Sequence, residues 1–89
     1  MRAVISVIGK DTVGILAKVS TKCASMGANI VDDTQTILQD MFVMIMMVDI
    51  SAINCEFAEM ASAVEQLGSE MGLSIHIMHE DIFNSMHRI

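Results

Sequence analysis

From Met41 to Val48 the chain reads MFVMIMMV, eight apolar residues without a break, and this run constrains the fold more than any other segment. It is far short of the ~20 residues that a membrane-spanning helix needs. Read as a strand, its side chains alternate between two faces. Phe42, Met44, Met46 and Val48 then line one face, and Val43, Ile45 and Met47 the other. A strand apolar on both sides belongs inside a sheet, covered on both faces, because exposed it would be an aggregation hazard. The chain has 89 residues, enough for one core but not for two. Residues 1–89 are therefore expected to form one domain around this strand.

The flanking segments supply the rest of the sheet. Arg2 to Ile8, RAVISVI, is β-branched and almost wholly apolar, which fits a second buried strand that Gly9 ends. After the loop Gly9-Lys10-Asp11-Thr12, in which Asp11 or Thr12 is placed to cap a helix, Leu16, Val19, Cys23 and Met26 recur at helical spacing. Gly27 stands at the position of a left-handed helix end. Asn29 to Leu38 is β-prone but carries Asp32, Asp33 and Gln35, which suits a sheet edge. Asn54 is placed to cap a second helix with the stripe Phe57, Met60, Ala61, Val64, Leu67 and Met71, ended by Gly72. Leu73, Ile75 and Ile77 then alternate with Ser74, His76 and Met78 as a half-buried strand. Asp81 is placed to cap a short last helix striped by Ile82, Phe83, Met86 and Ile89.

This order, β-α-β-β-α-β plus a tail helix, predicts an α+β fold. Two right-handed βαβ units give a ferredoxin-like sandwich: a four-stranded antiparallel sheet with the first and third strands inside and two helices on one face. The face of the third strand turned away from the helices must meet another surface, most simply a second copy of the chain.

Composition removes several functions. Acidic residues outnumber basic ones 11 to 5, for a net charge of −6, which disfavours direct nucleic-acid binding. Tyr and Trp are absent, so base-stacking platforms lack their usual side chains. Cys23 and Cys55 match no metal or redox spacing and fit thiols of a reducing cytoplasmic compartment. The loop GKDTVGIL holds no C-x-x-C, no arginine cradle and no Walker or dinucleotide glycine pattern. His76 and His79, three apart on a strand, point to opposite faces. His79, Glu80, Asp81 and His87 could converge across the last helix, but His87 and Arg88 fit better as cations favouring its C-terminus. The adjacent Asp32 and Asp33 face opposite ways and read as a solvated edge. Catalysis, metal and cofactor are accordingly not expected, nor is a membrane segment.

Gly9-Lys10-Asp11 with Val13-Gly14-Ile15-Leu16, followed by Gly27-Ala28-Asn29-Ile30, resembles the ACT domain, a small regulatory module with this same element order. The ending His79-Glu80-Asp81-Ile82-Phe83 with Met86-His87-Arg88-Ile89 sharpens the resemblance. It is similar to small single-ACT-domain proteins related to the glycine cleavage system transcriptional repressor, over essentially the whole chain. The resemblance implies a domain that does no chemistry and binds an amino acid between paired copies near the first strand-helix loop.

The implied site has a physical rationale. Backbone amides around Val13, Gly14 and Ile15 at a helix N-terminus can receive a carboxylate. The Asp11 carboxylate or the Asn29 side-chain oxygen can accept from an ammonium group. Leu16 and Ile30 would form the apolar wall, with Asn29 free to act on a ligand held mainly by the other subunit. Two functions stay open: a small-molecule sensor working as a homodimer, or a ligand-free interaction subunit acting on a regulator or enzyme.

Overall fold

Alternating strand-forming runs and helical stripes fold as β1 Arg2–Lys10, α1 Ile15–Ser25, β2 Asn29–Leu38, β3 Met41–Asp49, α2 Phe57–Met71, β4 Leu73–His79 and α3 Glu80–Met86. The computed structural model describes residues 1–10 and 12–86. Asp11, His87, Arg88 and Ile89, expected to cap a helix, favour its C-terminus or pack, lie outside the described residues.

The sheet has the order β2-β3-β1-β4, and every neighbouring pair is antiparallel. The two most apolar strands are thus the inner pair, and the strand carrying Asp32 and Asp33 is an edge. Ile5 lies opposite Met46 on one side and Ile77 on the other. On this face Ala3, Ile5 and Val7 join Phe42, Met44, Met46 and Val48 and Leu73, Ile75 and Ile77 in one buried layer. Ile15, Val19 and Cys23 of α1 and Met60 and Val64 of α2 close over that layer. Met44, Met46 and Met60 are among its largest fully buried side chains. Their unbranched thioethers fill irregular space that a β-branched residue would leave open.

Several local expectations are corrected. Gly9 does not end β1: the strand continues to Lys10, and Gly9 pairs with Phe42 and Leu73. Glycine is needed there for close approach, since a Cβ would stand 2.5 Å from a Leu73 methyl carbon. Thr12 does not cap α1; Gly14 holds the N-cap position, with no side-chain hydrogen bond. Asn54 does not cap α2, which starts after Glu56. Its side-chain amide instead donates to the Ser25 carbonyl (3.3 Å) and its backbone N–H to that of Met26 (2.9 Å), tying the end of α1 to the loop before α2. Asp81 lies within the first turn of α3 rather than before it. Leu16 is not on the buried stripe of α1, which runs Ile15-Val19-Cys23.

The opposite face of the sheet is covered over one half only. Arg2 donates to Glu80 through Nε (3.2 Å) and forms an ion pair with it, which anchors the start of α3. Half-buried Phe83 stands over this face beside Val4 and Met47, around a cavity of about 110 Å³. Among the described residues of the expected tail stripe, Phe83 turns inward, whereas Ile82 and Met86 remain 52% and 65% exposed. The expectation that β3 is covered on both faces therefore holds within one chain only near α3.

The α1 C-terminus depends on one backbone position. Gly27, at φ +84°, lets its N–H reach Ala24 O and the Ala28 N–H reach Cys23 O, both at 3.0 Å, a Schellman ending. A Cβ at Gly27 would lie 2.7 Å from Ala52 O, whereas one at Gly72 (φ +73°) would meet nothing within 4 Å. Gly72→Ala should therefore cost about 1–2 kcal/mol for the left-handed conformation alone. Gly27→Ala should cost measurably more, because backbone must also move. Urea denaturation of both variants checks this, and equal losses would contradict it.

Candidate functional site at the first strand-helix loop

The site begins with Gly14, at φ +86° and ψ 14°. A β-carbon is disfavoured in that left-handed region, and the turn directs Val13 outward, where it is 98% exposed. No atom lies within 4 Å of the point a Gly14 Cβ would occupy, so glycine also leaves an open notch at the helix start. The Gly14 carbonyl accepts from Lys18 N–H (3.0 Å), the first helical bond. The first turn of α1 contains no acidic residue and receives no side-chain cap. Its free amides and the positive end of the helix dipole therefore face outward without a neutralising partner from the helix itself.

A cavity of about 220 Å³ opens there, lined by Thr12, Gly14, Ile15, Leu16, Ala17, Gln35 and Phe42. This is smaller than the roughly 300–1,000 Å³ of sites for drug-sized ligands, which suits a small metabolite. Gln35 and Phe42 come from β2 and β3 and lie on the helix-facing side, opposite Met44 and Gly9. Sequence reasoning missed both as site residues. The available signal was Gln35 itself: alternation along β2 puts it on the side turned toward α1, an unusual place for an amide.

Among the sequence-derived site residues, Gly14, Ile15 and Leu16 come together at this cavity, and Val13 projects beside it. Ile15 is mainly a core residue, 3% exposed. Asn29 and Ile30 lie elsewhere in the same chain. They pair with Asp49 and Val48 at one end of the sheet, whereas the loop leaves β1 at the other end, where Gly9 pairs with Phe42. The seven steps along the strand from Phe42 to Asp49 span ~23 Å at about 3.3 Å per residue. Both Asn29 and Ile30 are exposed.

The other titratable groups differ in character. Burial pushes the Cys23 thiol up to about 11, so it carries no thiolate near neutral pH. His79 stacks on Phe57, with ring centroids 4.1 Å apart, on the helix-facing side, while His76 pairs with the Ser74 hydroxyl (3.2 Å) on the opposite side. Among the described residues no three His, Cys, Asp or Glu side chains gather as a metal site. The Asp49 carboxylate is held below its ordinary range, chiefly by the Ser51 N–H that donates to it at 2.8 Å. Asp33 moves the other way: burial, then the charge of Asp32, raises it. Its Oδ1 is buried without a hydrogen-bond partner among the described residues. A further cavity of about 500 Å³ lies at the far end of the sheet beside the Arg2–Glu80 pair. No helix among the described residues is long and apolar enough to cross a membrane.

This geometry defines a small βαββαβ domain with an uncapped, glycine-led helix start beside a metabolite-sized cavity. The family model for the ACT domain matches residues 2–78. A UPF0237 protein of Methanococcus maripaludis is 54% identical over 97% of this chain and 96% of its own length. The solved structure of an ACT domain protein from Streptococcus pneumoniae superposes with a TM-score of 0.82 at 37% identity, covering 93% of each chain. A protein assigned as a glycine cleavage system transcriptional repressor shares the fold, with a TM-score of 0.76 at 23% identity over 86% of this chain and 44% of its own. The chain belongs to the ACT domain family and, within it, to the UPF0237 group.

The raised Asp33 gives a pH test. Between the ordinary aspartate value of 3.8 and the higher folded value, the native state binds more protons than the unfolded one. Stability therefore falls as pH rises through that window, and the penalty is complete above it. Asp33→Asn should melt higher than the native sequence near pH 7, and the difference should vanish below about pH 4. A gap that is constant with pH would mean that Asp33 ionisation does not cause it.

Proposed function

We propose that this chain is a non-catalytic regulatory domain whose paired copies bind a small amino acid or a close analogue between them. Each site takes the α1 loop from one copy and Asn29 with Ile30 from the other. The observation that carries this reading is the separation of the two halves across a sheet whose β2 edge has no strand partner among the described residues. A second β2 laid antiparallel along that edge runs in the reverse direction. Asn29 of each copy then meets the Leu38 end of the other, where the Gly14 cavity opens.

In this arrangement the ligand carboxylate is bound by amides around Val13, Gly14 and Ile15 at the positive end of α1. The ammonium group donates to the Asn29 side-chain oxygen of the opposite copy, or to Asp11. Leu16 and Ile30, both 37% exposed, limit the size of the ligand side chain, and the Gln35 amide adds a polar group to the wall.

Thermal-shift screening of the twenty amino acids should yield a ligand that raises the melting temperature by mass action. Calorimetry should then show that Gly14→Val abolishes its binding and that Asn29→Ala weakens it by about 1–3 kcal/mol. Neither change removes a core side chain. The composite site makes a sharper demand: mixing the two variants should regain native affinity at reduced stoichiometry. A mixed pair owns one site with both intact parts and one with neither. Absence of recovery would place the whole site in a single chain, and equal affinity in all variants would place it elsewhere. If no amino acid binds at millimolar concentration, the domain acts as a ligand-free interaction subunit.

A further inference from the structure

We infer that the bare half of the sheet face opposite α1 and α2 is covered by the tail helix of a second copy. Each chain covers half of this face with its own α3, held by Phe83 and the Arg2–Glu80 pair. The other half presents Ile8, Leu38 and Met41, with Leu38 62% exposed, and Ile45 stands at its border, where it also lines the Phe83 cavity. No strand residue on that half carries a carboxylate, although the chain has a net charge of −6. For so acidic a protein, a face free of like charge is where two copies meet without repulsion. A contiguous exposed patch of this kind marks an interaction site rather than an ordinary surface.

The identity of the occupant follows from α3. Its outer side shows Ile82 and Met86, as exposed as the patch itself. A two-fold axis parallel to the sheet but displaced outward by the depth of α3, and perpendicular to the strands, exchanges the two ends of the sheet. It places each α3 over the bare half of the other copy, so that Ile82 and Met86 meet Ile8, Met41 and Ile45. The contact is isologous and closed, made twice with the same residues, and methionines on both sides suit its packing. The inference does not depend on the ligand reading. Pairing through β2 uses an axis normal to the sheet, and the two contacts are compatible within one assembly.

Light scattering tests it on the full chain. The native protein at tens of micromolar should have a mass that is an even multiple of 9.7 kDa, and Ile45→Asp should halve that mass. Ile82→Glu with Met86→Glu should halve it as well; these exposed side chains leave the folded chain intact, as circular dichroism would verify. The double variant therefore decides the matter even if Ile45→Asp fails to fold. A monomeric native protein would overturn the inference and leave the face to a different partner. An unchanged mass in the folded double variant would overturn it too, leaving only pairing that does not use α3.

Discussion

The pairing of β1 with β3 is the interaction on which the rest of the molecule depends. Once MFVMIMMV lies beside RAVISVI, Ile5 faces Met46 and the most apolar backbone in the chain has a neighbour on each side. That placement leaves β2 and β4 as the edges, and with them the two strands richest in polar side chains. It also fixes where each helix crosses: α1 must carry the chain from the end of β1 back to the start of β2, over the face bearing Val7, Met44 and Met46. Cavity, edge and bare face are all consequences of this pairing.

The architecture was legible because hydrophobic period, glycine position and element order agree along the chain. Residues with two available jobs were not. Asn54 has the chemistry of a cap, but the α1 end lies within its reach, and satisfying the Ser25 and Met26 carbonyls was the use the fold made of it. Gly9 looks like a strand terminator, yet what it provides is room for Leu73. Leu16 and Ile15 are both apolar and adjacent; which one faces inward depends on the helix beginning at Ile15 after a left-handed Gly14, and periodicity alone does not fix that angle.

The candidate site was legible in its parts and not in its assembly. The loop after β1 and the Gly27-Ala28-Asn29-Ile30 segment are separated by α1, whose 11 residues span ~16 Å at 1.5 Å per residue. A helix that returns the chain puts the two segments at opposite ends of the sheet, so the proposed site, which uses both, needs a second chain. Gln35 and Phe42 became visible only once the start of α1 was set over β2 and β3.

Charge along β2 bears directly on the proposed pairing. Asp32 and Asp33 stand near the middle of the strand, and a register irregularity between Ile30 and Asp32 interrupts its pairing with β3. Both features discourage indiscriminate edge pairing. In a symmetric β2–β2 pair these carboxylates approach their own copies, and like charges opposite one another across strands are unfavourable. Edge pairing in the proposed arrangement is therefore weak by itself, and a ligand contacting both copies would supply the missing free energy. By linkage, whatever the ligand contributes to pairing, pairing returns as ligand affinity. Neutralising Asp32 or Asp33 would tighten the pair without the ligand and so reduce the change that the ligand can produce. In the proposed pair, the carboxylates that protect the edge would also keep the paired state responsive.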